Sequence, residues 1–160
     1  MKKLLKIAAV LFVLLVAYSM YSNARVLPPL NFNDQEKVKT IAYGVDQATV
    51  NKVLDTCHGD PADCMLKLAM MEKEHCEKHG VNYEYTFIEM MADPYTLHQA
   101  EKDGVFEMFS PLLILTTKPG GKAVLDDAVK RKLISPVTAR VALTWAPRLK
   151  ADIAAIGHGY

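Results

Sequence analysis

Apolar positions recur along this chain at helical spacing, and capping residues, prolines and glycines cut the pattern into short units. Asp46 precedes Val50, Val53 and Leu54, so a helix capped by Asp46 is expected through Asp55 with those three residues on its inner face. Asp60-Pro61 joins a capping side chain to a proline at the first helical position, with Asp63 near the positive helix end. That helix is expected to run to His79 and stop at Gly80, a residue able to take a left-handed cap. Asp93-Pro94, Ser110-Pro111 and Ser135-Pro136 repeat the cap-plus-proline start, and Gly104 and Gly157 mark further stops. Between these marks run Phe87, Met90 and Met91, then Val124, Leu125, Ala128 and Val129, then Val137, Val141 and Leu143 to Trp145.

One stretch resists the pattern. PLLILTT, residues 111–117, is a short continuous apolar run that suits a buried strand as well as a buried helix, and periodicity leaves both open. The Lys118-Pro119-Gly120-Gly121 sequence after it is a turn. The expected fold is all-α, a compact single domain of about six short helices over residues 34–160. An extended lead-in over residues 25–33, containing Pro28-Pro29, precedes it.

Residues 1–24 have a different character. Lys2, Lys3 and Lys6 form a basic head, Ile7 to Ala17 is an unbroken apolar run, and Ser22-Asn23-Ala24 offers small residues at a cleavage site. Continued through Tyr18 to Tyr21, the run approaches the roughly 20 apolar residues that span a bilayer. A cleaved signal peptide and an uncleaved anchor over residues 4–20 therefore both remain open. Either one sends the body of the protein across the inner membrane, because the lysines stay on the cytoplasmic side. The expected location is periplasmic or extracytoplasmic, secreted or anchored by the N-terminus.

Without residues 1–24 the chain keeps 16 basic residues against 18 acidic ones, a net charge of −2, and no nucleic-acid partner is indicated. The distribution is uneven. Residues 34–107 hold 15 acidic and 7 basic residues, whereas residues 118–150 hold 8 basic and 2 acidic. Such blocks mark either two halves that pack together with complementary charge or two binding faces; internal packing is the expectation.

Three cysteines in an oxidising compartment leave one over. Cys64 and Cys76 fall on one predicted helix about 18 Å apart, beyond disulfide reach. Cys57 and Cys64 flank a tight corner between two helices, so they are the expected pair, contributing about 2–3 kcal/mol. Cys76 is expected to stay unpaired.

Candidate chemistry centres on MMEKEHCEKHG, residues 70–80. His75 and His79 are one turn apart, with Cys76 beside His75 and Met71 one turn before it, a soft donor set suited to copper or zinc. Against that, Lys78 and His79 suit an ordinary helix C-terminus, Met65, Leu68, Met70 and Met71 form a core stripe, and no second cluster completes four ligands. Glu72, Glu74 and Glu77, beside Lys73 and Lys78, have the composition of a solvated face. HCEKH carries its glutamate on a different helical face from the HExxH arrangement, which excludes that metalloprotease chemistry. Gly-x-Ser-x-Gly, Cys-x-x-Cys and a phosphate-binding loop are all absent, so no catalytic residue is assigned and no enzyme is expected.

Aromatic residues cluster in the middle of the chain. Tyr83 and Phe87 are one turn apart, Tyr85 lies off their face, and Tyr95 follows the Asp93-Pro94 corner. They either fill the core or present a contact surface. The expected function is binding of another envelope protein, as an inhibitor, an immunity-type protein or an accessory subunit. The expected contact residues are Tyr83, Tyr85 and Tyr95, or the basic run Lys130, Arg131 and Lys132. No cofactor is expected on that reading; the alternative is a periplasmic protein holding copper or zinc at Met71, His75, Cys76 and His79.

Overall fold

The computed structural model describes residues 7, 9–16, 26–43 and 45–158. The basic head, the Ser22-Asn23-Ala24 cleavage site and residues 4–6, 8 and 17–20 of the candidate anchor lie outside the described residues. Eight helices follow one another between residues 35 and 155, with no strand among the described residues. They are α1 (Gln35–Ala42), α2 (Gln47–Asp55), α3 (Pro61–Lys78), α4 (Tyr83–Ala92), α5 (Pro94–Lys102), α6 (Phe106–Thr117), α7 (Gly121–Lys130) and α8 (Pro136–Ala155). The fold is all-α as expected. It has more helices than the six or so anticipated because corners are nearly lengthless: Asp93 both ends α4 and caps α5.

Local chemistry sets most of these boundaries. Asp34, Asp46, Asp60, Asn82, Asp93 and Ser135 each accept a backbone N–H from the first turn of the helix they precede, satisfying donors that would otherwise be orphaned. Pro61, Pro94 and Pro136 occupy first-turn positions where a missing N–H costs nothing. Helix α3 ends where Gly80 takes φ +76°, which lets the Val81 N–H reach back to the Cys76 carbonyl at 2.9 Å.

The undecided run is helical. Helix α6 starts at Phe106, not at the expected Ser110-Pro111 cap, and passes straight through Pro111. Pro111 has no N–H for the Glu107 carbonyl, and the Ser110 hydroxyl donates to that carbonyl instead at 3.0 Å. Leu112, Leu113 and Leu115 are all buried, as are Phe106 and Phe109. Helix α6 lacked a clear apolar stripe because it is enclosed on nearly every side, packing on α3, α8 and α7.

A single buried cluster runs from Leu30 through the α3, α4, α6 and α8 contacts to Ile153. The lead-in is part of it. The Asn82 N–H donates to the Pro28 carbonyl at 2.7 Å, the Leu30 N–H donates to Thr86 Oγ1 at 2.9 Å, and Leu30 is buried. The chain at 28–30 is thereby strapped across the start of α4. At the other end of the fold, the Ser135 N–H donates to Glu84 at 2.8 Å and the Thr138 hydroxyl donates to the same carboxylate, tying the start of α8 to α4.

Helix α2 departs from expectation. None of its residues is buried; Val50 and Val53 are half-covered and Leu54 is exposed. Its contact is with α3, to which the Cys57–Cys64 disulfide fastens it across a Cα separation of 5.1 Å. Cys76 is the free cysteine and is buried. Apart from this body, residues 9–16 are helical, and Ile7 and Val10 to Val16 are all exposed.

Candidate functional site

The Asp93 corner fixes one aromatic residue outward. Its carboxylate accepts the Thr96 hydroxyl at 2.8 Å and the N–H groups of Tyr95 and Thr96 at 3.1 and 3.2 Å. Those bonds, led by the Thr96 hydroxyl, hold the Asp93 carboxyl below its usual range. With Pro94 setting the first turn, Tyr95 sits near the α5 N-terminus and is 73% exposed.

Tyr95 stands beside a groove of about 720 Å³ between the strapped lead-in and the α4–α5 corner. Pro28, Pro29, Leu30 and Phe32 supply its apolar lining, and Glu89, Thr96 and Gln99 line the opposite, helical side. Glu89 meets no cation among the described residues, and partial burial pushes its carboxyl upward. Tyr85 lies one turn before Glu89 on α4 and is 43% exposed. Chemically, this is a mixed trough, apolar along Pro28, Pro29 and Phe32 and polar at Asn31, Asn33 and Gln35, with an exposed phenol and one carboxylate without a counter-charge. Such a surface can take an extended or helical segment bearing a cationic side chain.

Tyr83 does not belong to that surface. It is fully buried, with its ring stacked on Phe109 at a centroid distance of 4.7 Å. The expectation that Tyr83 contacts a partner is corrected here: it stands two residues before Tyr85, which puts it on the opposite side of α4, against α6. Beside it lies a group that composition alone misread. Glu72, placed by its neighbours Glu74 and Glu77 on a solvated face, is 8% exposed, and its Oε2 has no hydrogen-bond partner. Burial, reinforced by Glu107, pushes its carboxyl well above the usual range. The Tyr83 hydroxyl is likewise buried without a partner, and burial first, then the neighbouring Glu72, pushes it up as well. Apolar spacing gives no signal for such a group; only the tertiary approach of α4 and α6 encloses it.

The residues of the metal alternative divide. His75 and His79 come together, ring centroids 4.6 Å apart, and Met71 and His75 line a hollow of about 230 Å³ with Asp46, Thr49 and Glu74. Cys76 instead points into the core, where burial raises its thiol to about 12, a protonated and unreactive state. His75 Nε2 is buried without a hydrogen-bond partner. Burial and then His79 lower its pKa, while the Thr40 and Ile41 carbonyls at the end of α1 act the other way. Among the described residues, no three His, Cys, Asp or Glu side chains gather into a set able to hold a metal ion. Copper or zinc would be left with two imidazoles and the Met71 thioether, short of the four ligands a structural zinc takes.

The basic run is also split. Arg131 reaches across to α3, its Nη2 2.6 Å from Asp63 and 2.9 Å from Asp127, and so joins the acidic and basic halves internally. Lys132 holds the left-handed turn after α7 at φ +60°, and its carbonyl accepts the Lys73 ammonium at 2.6 Å. Arg131 is corrected from a contact residue to a packing residue, because its charge is already engaged; Lys132 is a turn residue by its backbone, but its side chain is exposed and its place in the contact run stands. Lys130 stays exposed.

No protein-family model matches the chain, and no curated protein or solved structure matches it either.

Proposed function

We propose that this chain is an exported, disulfide-stapled helical protein that acts by binding another protein of the cell envelope, as an inhibitor, an immunity-type protein or an accessory subunit. The observation that carries this reading is the groove beside Tyr95. It combines an exposed aromatic residue, a partly apolar lining from the lead-in and an uncompensated Glu89 carboxylate. Aromatic residues at the centre of a patch carry much of the free energy in protein interfaces, with flanking polar groups setting register. The export half of the reading rests on Lys2, Lys3, Lys6 and the apolar run that follows. The helical residues 9–16 expose every described apolar side chain, which suits a lipid or export-receptor environment and not the core of the domain.

Tyr95→Ala is expected to weaken partner binding about tenfold to thirtyfold, the effect of losing an interface hot spot of about 2 kcal/mol. The check is quantitative co-purification from solubilised envelope with a Lys52→Ala control on α2, remote in sequence from the groove. Equal recovery by the wild type, Tyr95→Ala and Glu89→Lys would remove the groove from the account.

A further inference from the structure

We propose that a second groove, between α7 and α8, docks an acidic amphipathic helix of a partner protein. Its place in the sequence is set by helical spacing. Pro136, Ala139, Arg140 and Leu143 fall on one face of α8, and Lys122, Asp126, Val129 and Lys130 on one face of α7. The two faces line a trough of about 470 Å³. Ala139 is buried, Val129 and Leu143 pack partly against the core, and together they make an apolar floor.

The rim is cationic. Lys122 is held by Asp126 at 2.8 Å, a pair one turn apart on α7. Lys130 and Arg140 are exposed, and neither side chain meets a carboxylate among the described residues. This leftover charge is what decides the occupant. If the basic block of residues 118–150 served only to pack against the acidic half, its cations would be neutralised there. Arg131 is, through Asp63, but Lys130 and Arg140 are not. Two helices flanking a concave apolar floor fit the apolar face of a third helix, and cations on both walls complement carboxylates beside that face. A bilayer surface is met better by a convex or flat patch than by a trough.

This inference is independent of the Tyr95 groove, and its test keeps the two apart. The probe is a synthetic helical peptide with leucines on one face flanked by glutamates, compared by fluorescence anisotropy with a twin carrying lysines in place of the glutamates. The full chain is expected to bind the glutamate peptide, to lose affinity as salt rises, and to ignore the lysine twin. Lys130→Glu with Arg140→Glu is expected to weaken binding about tenfold or more, with Tyr95→Ala unchanged. Both variant positions are exposed, and circular dichroism checks that the helices persist. Four results would overturn the proposal: no binding of the glutamate peptide, equal binding of both peptides, wild-type affinity in the double variant, or binding of phosphatidylglycerol vesicles in place of the peptide. Self-association abolished by Lys130→Glu would also overturn it, since the occupant would then be a second copy of this chain.

Discussion

Tyr83→Ala is expected to destabilise the protein by about 3–5 kcal/mol, whereas Tyr83→Phe is expected to be neutral or stabilising. The ring is enclosed between α4 and α6 on Phe109, so its removal leaves a cavity where close packing gives little room for collapse. The hydroxyl has no partner, so removing it alone loses no hydrogen bond and relieves the burial of a polar group. Urea unfolding of both variants measures the difference. A contact residue at the surface would behave in the opposite way, with Tyr83→Ala costing less than about 1 kcal/mol and its effect appearing in partner binding.

Glu72→Gln carries the second large effect, and it depends on pH. The Glu72 carboxyl has a folded pKa raised above its unfolded value near 4.5, by burial first and Glu107 second. The folded state therefore holds its proton more tightly than the unfolded state does. Whatever stability this confers is present below about pH 4.5 and is lost as pH rises toward the folded pKa. Replacing the carboxyl with an amide removes that loss. The variant is expected to gain roughly 1–3 kcal/mol at pH 7, or several degrees in melting temperature, and to match the wild type near pH 4. Thermal melts at the two pH values check it. A variant less stable than the wild type at pH 7 would mean that the carboxylate has a favourable partner.

The helix boundaries were legible in the sequence wherever a side chain itself does the work. Asp46, Asp60, Asp93 and Ser135 cap by accepting a first-turn backbone N–H with their own side chains, and Gly80 ends α3 by its freedom at positive φ; neither depends on the rest of the fold. The Cys57–Cys64 pairing followed from the length of a helix against the reach of a disulfide. Helix α6 was not legible because enclosure on nearly every side erases the amphipathic signal that distinguishes a helix from a strand. The candidate site was half legible. Tyr95 follows from the cap-and-proline corner that aims it outward. The groove beside it needs the lead-in to lie across α4, a contact between residues far apart in sequence. Tyr83 and Glu72 went the other way for the same reason: both have polar tips that sequence reasoning assigns to water, and the approach of α4 and α6 buries them. Arg131 was read as part of a basic run, and only its meeting with Asp63 on α3 turns it inward.

Partner binding at the Tyr95 groove is the claim on which the functional account turns, and site-specific photo-crosslinking in intact cells tests it most directly. A photoreactive phenylalanine analogue at position 95 is expected to yield one discrete crosslinked product, and the same analogue at the exposed Lys52 position is expected to yield none. No product from position 95, or the same product from both positions, would contradict the account.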